Sequence, residues 1–80
     1  MSANVIQSPL PGTFYRKPAP DQPAYKEVGD TVSVGDTIGL VEVMKSFHEI
    51  QADKAGTITS FLVENEEAVI AGQSIVEMKM

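Results

Sequence analysis

The apolar residues of this chain fall in short runs rich in valine, isoleucine, threonine and aromatics: TFY (13–15), TIGLVEV (37–43), SFHEIQA (46–52), TITSFLV (57–63) and SIVEM (74–78). Such runs are too short for ordinary helices, and their β-branched and aromatic content suits half-buried strands. Glycine and proline punctuate them at SPLPG (8–12), KPAPDQP (17–23), VGD (28–30 and again 34–36), DKAG (53–56) and AG (71–72). Gly35, Gly56 and Gly72 read as turn residues that need a permissive backbone. The pattern predicts an all-β chain.

The two halves repeat each other. VSVGDTI (32–38) aligns with VIAGQSI (69–75) at an offset of 37, and PGTFY (11–15) aligns with AGTIT (55–59) at an offset of 44. The difference, 44 − 37 = 7, means that the first half carries seven extra residues between Tyr15 and Val32. RKPAPDQPAY (16–25) supplies three prolines there and no strand pattern, so a protruding loop on one half is expected. About four short strands per half imply two sheets packed face to face about a pseudo-two-fold axis, each half lending strands to both.

In that arrangement TIGLVEV runs into Met44-Lys45 and returns as SFHEIQA, which places Met-Lys at a hairpin tip. Two-residue hairpins favour Asn-Gly, Asp-Gly or Gly-X because these tolerate positive φ. Met-Lys does not belong to that set. Either the turn has another geometry, or something other than turn chemistry selects the two residues, and breaks of a local rule are enriched at functional sites. A second Met-Lys lies in VEMKM (76–80), where a strand is expected to end.

Composition limits the chemistry. Eighty residues form one domain, spanning 1–80, of a size that buries only about 60% of its unfolded surface. With no cysteine and a single histidine, His48, there is no thiolate zinc site, no cysteine nucleophile and little for a catalytic dyad. A net charge of −5 is the wrong sign for a domain that neutralises nucleic-acid phosphates. The N-terminus lacks the basic start and apolar core of a signal peptide, and no apolar run approaches the roughly 20 residues that span a bilayer. No nucleic-acid or membrane partner is expected, and the expected location is cytoplasmic, or plastid after removal of a transit peptide.

SPLPGTFYRKPAPDQPAY, EVGDTVSVGDTIGLVEVMK, IQADKAGTI and LVEN together resemble the biotinyl carrier domains, most closely those of acetyl-CoA carboxylase, from about Val5 to Val76. The resemblance implies a flattened β-barrel or sandwich, a barrel-sandwich hybrid of two quasi-symmetric four-stranded halves. It further implies that a hairpin-tip lysine within Ala-Met-Lys-Met is joined through its ε-amine to biotin. Lys45 is the matching position, with Val43 in place of the alanine and Ser46 in place of the second methionine. EMKM (77–80) matches the tetrapeptide better, but Lys45 lies at the centre of the repeat with 35 residues after it, as the family's lysine does.

The same resemblance casts residues 16–23 as a thumb, found in the acetyl-CoA carboxylase type, in which Gln22, Pro20 and Ala19 would contact the biotin. A solvated loop without a ligand is the plainer alternative. Met44 would be gripped by the ligase, although a methionine beside a turn is commonly a core edge. Phe47 is either an exposed aromatic beside the tip or a packed one; Glu42 and His48 read as ordinary surface side chains. The implied partners are a biotin protein ligase, a biotin carboxylase and a carboxyltransferase, and the domain itself is expected not to be an enzyme. A lipoyl carrier, or an unmodified interaction module of the same fold, are the rival readings.

Overall fold

The computed structural model describes residues 4–79, and their strands follow the apolar runs. In chain order they are β1 (Asn4–Gln7), β2 (Gly12–Tyr15), β3 (Thr31–Val32), β4 (Thr37–Val43), β5 (Ser46–Gln51), β6 (Gly56–Phe61), β7 (Ala68–Val69) and β8 (Ser74–Lys79). The pattern did not mark β1, β3 or β7 individually, since two to four residues are too few to show an alternation. They form two antiparallel four-stranded sheets, ordered β1-β8-β6-β3 and β5-β4-β2-β7.

Exchanging the first four strands with the last four converts one sheet order into the other, as a two-fold repeat requires. The correspondence extends to single hydrogen bonds. Ser8 N–H donates to the Gln73 carbonyl at 2.9 Å, and Ala52 N–H, 44 residues on, donates to the Asp36 carbonyl at 2.8 Å. Phe14 N–H donates to the Glu67 carbonyl at 2.8 Å, and its counterpart Ile58 N–H to the Asp30 carbonyl at 3.0 Å. The turns of both halves are closed alike, by side-chain oxygens of Asp30 and Asp36 in one and of Glu67 and Gln73 in the other.

The core repeats too: Ile6 with Ile50, Phe14 with Ile58, Val32 with Val69 and Ile38 with Ile75 are buried in pairs between the sheets. Burying side chains of this kind stabilises by roughly 1.5–3 kcal/mol each relative to exposure. Two substitutions within the repeat compensate each other. Phe14 stands where the second half has the smaller Ile58, and Gly39 stands where it has the larger Val76. A Cβ on Gly39 would lie 2.6 Å from the Phe14 ring, so the glycine makes room for the aromatic.

The extra seven residues lie where the repeat places them. Tyr25 N–H donates to the Arg16 carbonyl at 3.0 Å, closing a loop at its base. Arg16 and Tyr25 correspond to Ser60 and Leu62, so the eight residues 17–24 replace the single Phe61. Arg16 anchors the loop: its N–H donates to Asn65 Oδ1 at 2.8 Å, and its guanidinium pairs with Glu27 at 3.1 Å and lies 4.0 Å over the Phe61 ring. Such a cation–π contact at a partly exposed site contributes about 0.5–1 kcal/mol.

Candidate functional site

Strands β4 and β5 pair in register up to Val43 and Ser46, leaving Met44 and Lys45 as the whole connection. Met44 has φ 50° and Lys45 φ 69°. Positive φ at both central residues is the mark of the type I′ hairpin turn, whose twist matches the strands it joins. The geometry is therefore the favoured one and the residues are the disfavoured ones, at about 1–2 kcal/mol for each side chain held in the left-handed region. Both side chains project into solvent, and Met44 is 93% exposed, which excludes a core-edge role for it.

Glu42 and Phe47 face each other one pair below Val43 and Ser46. Phe47 is 58% exposed, yet its ring packs on Tyr15 of β2 with centroids 5.9 Å apart and planes inclined at 56°, so both readings of this aromatic hold in part. The Tyr15 hydroxyl donates to Glu42 Oε1 at 3.1 Å. That hydrogen bond, reinforced by partial burial and by the charges of Glu42 and Glu66, raises the phenol above its ordinary value. A platform of Tyr15, Phe47 and Glu42 thus braces the strands that present the tip.

The loop 16–25 folds toward this platform. Together they enclose a cavity of about 140 Å³ lined by Tyr15, Lys17, Pro18, Ala19, Pro20, Phe47, Asn65 and Glu66. This is small beside the roughly 300–1,000 Å³ of a drug-sized site, and suits a compact head group. Ala19 and Pro20 line it. Gln22 does not; its N–H turns back to the Ala19 carbonyl at 3.1 Å and shapes the loop. Sequence reasoning missed Asn65 and Glu66, which come from the second half and reach the cavity only through the fold.

Lys79 is the last residue of β8 and pairs with Thr57; in the repeat it occupies the place of Glu42, inside a strand rather than at a tip. Met80 lies outside the described residues. His48 is exposed on β5 opposite Val41. Among the described residues no three His, Asp or Glu side chains group to hold a metal, and no helix is long and apolar enough to cross a membrane.

A family model described as biotin-requiring enzyme matches residues 4–78. The biotin carboxyl carrier protein of acetyl-CoA carboxylase from Haemophilus influenzae is 45% identical over 69 residues, covering 86% of this chain and 44% of that protein. The chloroplastic one from Glycine max is 44% identical over 64 residues, covering 80% and 24%. The chain thus spans less than half the length of these relatives. Among solved structures, the urea carboxylase of Kluyveromyces lactis superposes with a TM-score of 0.77 at 28% identity, over 99% of this chain and 6% of that one.

Proposed function

Because the chain belongs to the family of biotin-requiring enzymes, we propose that it is a biotin carboxyl carrier domain with biotin joined in amide linkage to Lys45. The observation that carries this reading is the tip. A turn whose backbone asks for Asn-Gly holds Met-Lys instead, with both side chains outward. A primary amine on a rigid, exposed hairpin is what a ligase needs if it recognises a folded surface. Met44, outward beside the lysine, offers a flexible and polarizable contact for that enzyme.

Biotin, once attached, supplies a ureido nitrogen that carries a carboxylate between two active sites. The domain supplies reach and placement: the tip extends the arm, and the cavity bounded by Ala19 and Pro20 accepts its head group. The chain performs no catalysis in this scheme. A biotin carboxylase would load the arm, and a carboxyltransferase would transfer the carboxylate to acetyl-CoA, yielding malonyl-CoA for fatty acid synthesis. The names of the relatives and the loop 16–25 favour this parent enzyme over a lipoyl carrier, in which an acidic residue stands where this chain has Met44.

Intact mass after co-expression with a biotin ligase or a lipoate ligase tests the assignment. The wild-type domain and Lys79→Ala should each gain one biotinyl group, and Lys45→Ala none. Labelling retained in Lys45→Ala but lost in Lys79→Ala would move the site, a lipoyl adduct would change the cofactor, and no adduct would leave an interaction module.

A further inference from the structure

Among the described residues, three that are not glycine have positive φ: Met44, Lys45 and Glu66. Two form the tip, and the third, at φ 69°, lines the cavity beside it. Glu66 is the third residue of the turn 64–67, which Glu67 N–H closes on the Glu64 carbonyl at 3.1 Å. A positive φ at that position is the place for glycine or asparagine. The other half of the molecule obeys the rule: Gly29, at φ 97°, is the counterpart of Glu66 in the turn 27–30. Both N–H groups make equivalent bonds, Glu66 to the Phe14 carbonyl at 2.6 Å and Gly29 to the Ile58 carbonyl at 2.8 Å, so the backbone needs glycine equally in both halves. Among the described residues, the hydrogen bond of its side chain is a 3.5 Å contact with Asn65 Nδ2, which does not call for a glutamate. Residues held in sparsely populated backbone regions collect at binding sites.

What the glutamate adds is a carboxylate on a cavity whose apolar walls are Tyr15, Phe47, Ala19 and two prolines, with Lys17 and Asn65 as its other polar neighbours. Asn65 lies beside it, its Nδ2 3.5 Å from Glu66 Oε2 and its Oδ1 accepting the Arg16 N–H at the base of the loop. A carboxylate beside apolar walls is an acceptor-only group, suited to a flat, neutral ligand that carries N–H donors. The head group of biotin is a cyclic urea with two such donors.

We infer that Glu66 is a positioning residue for the biotin arm, its carboxylate accepting a hydrogen bond from a ureido N–H when the head group lies in the cavity. This rests on the proposed function above, and adds to it the polar contact that orients the ring. An N–H bonded to an anion makes a shorter and stronger bond than one between neutral groups.

The test uses the domain biotinylated at Lys45, with Glu66→Gly and Glu66→Gln variants, read by proton NMR of the ureido N–H groups and by thermal melting. In the wild type one ureido N–H should lie downfield of its position in free biotinyl-lysine and exchange with solvent roughly tenfold more slowly, the factor expected for a bond to a charged acceptor. Glu66→Gly should melt at the same or a higher temperature, because it removes backbone strain, while its N–H signals return to those of free biotinyl-lysine. Glu66→Gln, which keeps an acceptor oxygen, should retain part of the shift. A shifted signal that survives in Glu66→Gly overturns the inference. So does an unshifted wild-type signal; if the Ala19 amide then still differs between the apo and biotinylated domains, the cavity does hold the head group, and if it does not, the placement of the arm falls as well. Absence of biotin on Lys45 removes the proposed function itself.

Discussion

The Tyr15 hydroxyl donates to Glu42 across 3.1 Å, joining β2 to β4 three residues before Lys45. Because the bond favours the protonated phenol, the folded state holds this proton more tightly than the unfolded chain, in which a phenol titrates near pH 10. The stability linked to Tyr15 is therefore fully present below about pH 10 and is lost as pH rises through the higher folded value. Tyrosinate absorbance should show a component displaced to high pH in the wild-type domain. Glu42→Gln should move that component toward the ordinary range, and Tyr15→Phe should remove it. An identical alkaline titration in Glu42→Gln would show that the carboxylate does not control the phenol.

Met44 and Lys45 hold a turn built for other residues, so stability and modification should respond in opposite directions. The double substitution Met44→Asn, Lys45→Gly keeps the positive-φ geometry with residues that adopt it readily. It should stabilise the domain by about 1–2 kcal/mol while abolishing attachment of biotin. Denaturant unfolding and intact mass check the two halves of this expectation, and a destabilised double variant would mean that the Met44 or Lys45 side chain supports the fold.

Much of this architecture is legible in the sequence because the chain repeats. The offset of 37 between VSVGDTI and VIAGQSI, and of 44 between PGTFY and AGTIT, carries over to paired core residues and paired hydrogen bonds, and their difference locates the loop 16–25. Lys45 stands out as a candidate because it and Met44 break turn chemistry at the repeat's centre, where both have positive φ. The cavity was harder to foresee. Asn65 and Glu66 lie about fifty residues from the loop they meet, and exposed polar residues in a turn look like any others. Extending the repeat by one more turn, so that Glu66 faces Gly29, would have exposed the anomaly. Gln22 is legible only as a polar side chain in a proline-rich loop; the fold adds that its N–H donates to the Ala19 carbonyl and shapes the loop's own turn.

Phe14 and Gly39 form one packing unit, and the second half fills the same space with Ile58 and Val76. Gly39→Val alone should destabilise by roughly 1–3 kcal/mol or more, since its Cβ would meet the Phe14 ring and lie 2.9 Å from the Tyr15 carbonyl oxygen. Phe14→Ile alone should destabilise by opening a cavity, about 1–3 kcal/mol. The double variant rebuilds the arrangement of the other half and should be less destabilised than the two singles summed, with a favourable coupling of about 1 kcal/mol. Strict additivity in urea unfolding would show that the clash with Tyr15 backbone, rather than with the aromatic ring, dominates at Gly39.

Residues 17–24 stand where the second half needs only Phe61, so the scaffold should fold without them. Replacing them with a short glycine-containing turn joins Arg16 to Tyr25, whose backbones already meet at 3.0 Å. Shortening the loop lowers its closure entropy by about 1–2 kcal/mol, which offsets the few contacts that Lys17, Pro18 and Pro20 lose, since all three are exposed. Arg16 keeps Asn65, Glu27 and Phe61 as partners. The deletion should therefore melt within a few degrees of the wild type and still accept biotin on Lys45, because the hairpin tip does not include the loop. Its cavity would be gone, for half of the lining comes from residues 17–20. The biotin ring protons of the deleted domain should then match those of free biotinyl-lysine, whereas those of the intact domain should not. A folded deletion with unchanged ring shifts would show that the loop does not touch the head group, and a collapsed one would show that the loop is part of the scaffold.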